Sequence, residues 1–398
     1  MGTSPKRRGL GHRVRSTVPR LTRFAIEHLL LLPLGAIIAL AWVNTAPESY
    51  YGFTFSIAFV VNDVGIAFFF ALIAKEVVEA TVPGGVLHSW RRALMPIVAS
   101  LGATALPALL HVRIVESLDE PMLTIGWRVA LATDLAIGFF FARIIFGRHP
   151  AVPFFLLLGI ASDAIGFITV AVFDPARDIR LLGGVLMLAA AMAIAAGLRR
   201  QRIRSFWPYV LTAGVASWVG MYWSGVHPAL ALVPIMPFLP HATRDPGFFV
   251  DARPDARDAL SQFEVWWRYP AQVALFFFGL VNAGVPMGAL EPGTWGLPLA
   301  LIVGRPVGLF AGAGLGLALG FNLPHRVGWR DLTVIGFIAA MGLSVGLFFA
   351  AAILPPGQLR SELNMGVLLS LAGAPLAFVA AWMMRVGRFS SEASHPSS

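Results

Sequence analysis

Apolar runs long enough to cross a lipid bilayer, about 20 residues each, recur along nearly the whole of this 398-residue chain. Backbone inside hydrocarbon must satisfy its own hydrogen bonds, so such runs fold as helices. The sequence therefore predicts an all-α polytopic membrane protein. About twelve candidate transmembrane helices lie near 24–46, 55–80, 93–111, 124–145, 151–173, 180–198, 207–224, 226–240, 268–290, 296–321, 331–353 and 364–385. The charged content, 13%, is far below the roughly 25% of soluble domains.

The net charge of +9 does not point to nucleic acid, because the cations are spread over the loops between spans. There they set orientation. With the N-terminus inside, 23 Lys and Arg fall on the cytoplasmic side and 4 on the outer side. Residues 1–23 then form a basic cytoplasmic tail, 24–388 a single transmembrane domain, 241–267 a cytoplasmic linker and 389–398 a disordered tail. The chain has no cysteine, which excludes disulfides and thiolate metal sites.

Charges inside the spans carry the functional signal. An aspartate at bilayer depth costs about 2.5–3.5 kcal/mol on insertion scales and usually faces a cavity. Asp134 follows Thr133 in ATDLAIG (132–138), with Gly138 one turn on. Asp163 follows Ser162 in LLLGIASDAIGFITV (156–170). Arg305 precedes Pro306 in VGRPVG (303–308), and in MGLSVG (341–346) Gly342 and Gly346 bracket Ser344. Glycine and polar residues in the fourth and eleventh spans predict two discontinuous helices. Their exposed ends carry partial charges, which Asp134 and Arg305 are suited to balance. Such a pair of interrupted spans points to a transporter site. Each feature also has a plainer reading. An acid can pair structurally, glycines favour helix packing, and Lys75 and Glu76 can snorkel to the interface. His227 reads as an ordinary packed histidine.

At these residues the chain resembles the NhaA-type sodium/proton antiporters. VVNDVGIAFFFALIAKEV (60–77), RRALMPIVASLGATALPALL (91–110), ATDLA (132–136), SGVHPAL (224–230), VNAGV (281–285), VGRPVG and GLSVGLFFA (342–350) match family stretches in order. The resemblance implies inverted-topology repeats whose broken helices cross at mid-membrane. It also implies a core bundle, roughly 93–173 and 296–385, that moves against an interface bundle. Lys75 and Glu76 would stand in a cytoplasmic funnel. Three departures stand out. Ser162 and Asp163 replace a pair of aspartates, Arg305 replaces a lysine, and only residues 45–61 lie where relatives often carry a dimer-forming hairpin. The last weakens the homodimer that the family implies.

The expected activity is exchange of Na+, or Li+, for H+ across a cell membrane by alternating access, with no cofactor, enzymatic step or nucleic-acid partner. Hard cations prefer oxygen ligands. Asp163 supplies a carboxylate, Ser162 and Thr133 supply hydroxyls, and unwound backbone near Asp134 supplies carbonyls. Arginine does not readily release a proton, so Asp163 is the one evident carrier and exchange should be nearly electroneutral. The alternatives are a homologue with lost or altered transport and, more remotely, an intramembrane aspartyl protease, whose Gly-x-Gly-Asp pattern is absent.

Overall fold

The computed structural model describes residues 31–81, 90–147, 149–173, 181–241 and 258–390. The expectations for the tail 1–23, for most of the 241–267 linker and for the last eight residues lie outside them. All regular structure among the described residues is helical, with no strand.

The first helices are α1 (Leu31–Thr45) and α2 (Pro47–Phe59). A π-helical turn, Val60–Gly65, carries α2 into α3 (Ile66–Thr81). Pro47 suits the first turn of α2, where its missing N–H is no loss. The stretch where relatives often carry a hairpin is thus a helix, and the second span starts at Pro47 rather than near 55. Phe55 and Phe59 point outward from it.

Helix α4 (Trp90–Ser117) leads to a 3-10 segment, Pro121–Leu131, then to α5 (Leu135–Phe146) and α6 (Ala151–Phe173). Next come α7 (Leu181–Arg200), α8 (Val215–Ser224) and α9 (Ala259–Asn282). The last five are α10 (Gly296–Ala318), α11 (Trp329–Ala339), α12 (Leu343–Ile353), α13 (Gln358–Leu369) and α14 (Gly373–Met383). Local chemistry sets several ends. Asp258 caps α9 through Ser261 N at 2.9 Å, and Gly225 ends α8 at a φ of 78°, a conformation glycine adopts without strain.

Among the described residues, six helical stretches are long and apolar enough to span a membrane. The pair α11 and α12, bent by 48°, makes a seventh if it is one broken span. Helix α1 and the apolar part of α5 are shorter.

Packing falls into two groups. Helices α4, α5, α6 and α10–α14 pack on one another around the 3-10 segment. In the other, α1–α3 pack with α9, and the pair α7 and α8 joins α3 through the 3-10 turns Pro228–Leu230 and Met236–Phe238. The tightest seam joins α4 to α10. Gly304, Gly308, Gly312 and Gly316 recur every fourth residue on α10 and face Pro107, Gly102, Ala99 and Met95 of α4. At Gly102 and Gly308 main chain lies against main chain, so a Cβ on either would strike a carbonyl oxygen. Small residues permit this approach where lipid supplies no hydrophobic drive between helices.

Candidate functional site

Two helix breaks build the site. The 3-10 segment ends at Leu131, extended backbone runs through Ala132 and Thr133, and α5 begins beyond Asp134. Helix α11 ends at Ala339, and α12 begins after Gly342. The breaks meet where Asp134 N donates to Met341 O at 2.7 Å and Gly342 rests on the Ala132 main chain.

Each break strands two kinds of backbone group, N–H at a helix start and C=O at a helix end. Asp134 serves both starts. Its Oδ1 accepts from Ile137 N at 2.9 Å in the first turn of α5. Its Oδ2 accepts from Ser344 N at 2.8 Å in the first turn of α12. One carboxylate therefore caps two helices whose positive ends face it. Arg305, fully buried on α10, serves an end. Its Nη2 donates to Ala130 O at 3.1 Å, Leu131 O at 2.6 Å and Ala132 O. It forms no direct ion pair with Asp163, whose Oδ2 has no hydrogen-bond partner.

Asp163 serves the backbone with one oxygen only. It is 4% exposed in the middle of α6. Its Oδ1 accepts from Thr133 N at 3.0 Å, and its Oδ2 has no hydrogen-bond partner. The buried hydroxyls of Thr133, Ser162 and Ser344 are likewise without partners. Buried polar atoms are nearly always satisfied, so four unpartnered oxygens beside one helix crossing set this place apart from the rest of the interior. Aromatic rings keep the surroundings apolar. Phe167, one turn beyond Asp163, packs on Phe348 and Phe349, one turn beyond Ser344, at 5.8 and 5.2 Å between ring centres. Phe70 of α3 closes on Phe348 at 4.9 Å and on Phe167 at 5.0 Å. His227 meets Phe348 at 4.7 Å.

The structure thus brings together Thr133, Asp134, Asp163, Arg305, Gly342 and Ser344, with Ser162 beside them. Gly138 lies inside α5, against Phe155 and Ile338, not at the break. Gly346 lies in the first turn of α12, against Val367. Lys75 and Glu76 belong to a separate cluster. Lys75 is 1% exposed, and its Nζ lies 3.2 Å from Glu76, 2.7 Å from Glu79 and 2.8 Å from Glu264. It is buried among acids rather than reaching for an interface. The part played by Glu79 and Glu264 went unread in the sequence, although Glu79 sits four residues from Lys75, at helical spacing.

The Na+/H+ antiporter 1 family matches residues 25–384, almost the whole chain. The chain belongs to that family. Among members of the Na+/H+ antiporter 1 family, the Na+/H+ antiporter NhaA of Geotalea uraniireducens is 40% identical over 369 residues, covering 90% of this chain and 96% of its own length. That of Desulfitobacterium hafniense is 39% identical over 374 residues, covering 91% and 96%. That of a Jannaschia species is 35% identical over 415 residues, covering 92% and 98%.

Proposed function

We propose that this chain is a secondary transporter that exchanges Na+ for H+, with Asp163 holding one or the other but never both. The observation that carries the reading is the unpartnered Oδ2 of Asp163 within reach of a helix crossing already neutralised by other groups. The antiporter names carried by the relatives support the same exchange. The cation is cargo, so its site has to release it. One carboxylate with hydroxyl and carbonyl oxygens suits weak, reversible binding. Lithium, smaller and equally hard, would share the site.

The excess of cations on one side of the spans supports a cell-membrane protein with both termini inside and about twelve crossings. The two packing groups support a division of labour, with the group containing α4–α6 and α10–α14 carrying the site past the other. Inverted repeats relating α4–α6 to α10–α14 fit that division. Helix α2 gives no hairpin for the dimer contact common among relatives, so any dimer would use another surface.

Proteoliposomes holding the purified chain and a pH-sensitive dye test the reading. Sodium added to one side should release protons there, with lithium effective and potassium not. Ser162→Ala should raise the half-saturating Na+ concentration while leaving turnover. Absence of any cation-dependent proton movement in the parent chain rejects the proposal.

A further inference from the structure

The inference here rests on the reading that the two helix groups shift against each other. Their contact near the site is aromatic, through Phe70, Phe167 and Phe348. Ring contacts tolerate sliding. Further toward the outer side, where the charge count places the loop holding Arg360, the contact is polar and directional.

Asn282, the last residue of α9 and 2% exposed, is the meeting point. Its Nδ2 donates to Asn62 Oδ1 at 2.7 Å and to Phe278 O at 3.0 Å, both within its own group. Two further bonds come from the other group. Arg360 Nη2 donates to Asn282 Oδ1 at 2.6 Å, and Asn364 Nδ2 donates to Asn282 O at 2.7 Å. Arg360 and Asn364 stand one turn apart on α13, so a single face of that helix makes both bonds. Asn282 cannot follow them. Its neighbours are fastened to α1 and α2, where Tyr50 donates to Leu280 O at 2.8 Å and Asn44 donates to Val285 O at 3.1 Å.

All four residues, Asn62, Asn282, Arg360 and Asn364, line a cavity of about 720 Å³ between the two groups. Among the described residues Arg360 has no carboxylate partner. A cation entering the cavity therefore meets the Arg360 guanidinium at the point where the groups are tied, while Glu291 lies elsewhere on the cavity wall.

We propose that Arg360 and Asn364, docked on Asn282, form the outer gate of the transporter. Closed, they fix the register of the two groups and repel cations. Opening requires both bonds to part, which carries the guanidinium away with α13.

The absence of native cysteine permits a direct test. A cysteine replacing Ile66, one turn inward from Asn62 and 1% exposed, reports passage beyond the gate. A membrane-impermeant maleimide is applied from outside to cells carrying Ile66→Cys alone or with a gate substitution. Asn364→Ala should speed labelling about tenfold, the factor that corresponds to loss of one hydrogen bond, and Arg360→Gln should speed it more. Arg360→Lys should fall between parent and Arg360→Gln. An Ala58→Cys probe on the cavity wall should label at one rate in all of them. Equal labelling of the Ile66→Cys site in parent, Asn364→Ala and Arg360→Gln overturns the gate. Labelling needs no ion gradient, so faster labelling in a chain that exchanges no Na+ upholds the gate and rejects the antiport reading instead.

Discussion

Asp134 and Asp163 are both buried acids at one helix crossing, yet their surroundings give them different work. Both oxygens of Asp134 accept backbone N–H groups from helix starts. Asp163 accepts one N–H and keeps the other oxygen uncommitted. Amide substitution should separate the two roles. In Asp134→Asn the side chain keeps one acceptor oxygen and turns an NH2 toward a buried N–H, so thermal unfolding in detergent should show a loss of about 1–3 kcal/mol. In Asp163→Asn the Thr133 bond survives, so stability should hold within about 1 kcal/mol while exchange in proteoliposomes disappears. The sequence showed both acids, because a charge in an apolar run is conspicuous. It also pointed to helix ends for Asp134 and Arg305. It did not reveal that one carboxylate spans two helices, since residues 137 and 344 are joined only by the fold. The aromatic wall was equally hidden, because phenylalanine in a membrane span is unremarkable until its neighbours are known.

Among the helices, the break between the 3-10 segment and α5 falls at Thr133 and Asp134 and that between α11 and α12 at Gly342, residues that could be read directly. The boundaries could not. Gly138 and Gly346 look like breakers in the sequence, yet each lies in continuous helix and serves close packing. The ladder Gly304, Gly308, Gly312, Gly316 stands in the sequence at a strict spacing of four, but such spacing does not say which helix it faces. Gly308→Leu should force α4 and α10 apart at a main-chain contact, costing about 3 kcal/mol or more, seen as lowered thermal stability and yield in detergent. The acid cluster around Lys75 gives a second expectation. Lys75→Met strands three buried carboxylates, and removing one partner of a buried ion pair costs about 3–5 kcal/mol. Adding Glu264→Gln should recover part of that loss in the same unfolding assay, because it removes one of the repelling charges.

For the molecule as a whole, the charge that accompanies each transport cycle follows from how few groups at the crossing can change state. Asp134 is held by two helix starts and Arg305 by a helix end, so under the proposed function Asp163 alone trades one proton for one Na+. Exchange should then be nearly electroneutral. In vesicles clamped with potassium and valinomycin, an imposed membrane potential should neither drive nor retard sodium flux, and flux that follows the potential would require a second proton carrier. The α4–α10 seam bears on how such a protein can change over time. Where two main chains touch, no trimming of the opposite helix can make room for a bulkier residue, since nothing there is left to trim. A disabling change at Gly102 or Gly308 should therefore be repaired only by reversion at the same codon, and searches for suppressors on the facing helix should come back empty.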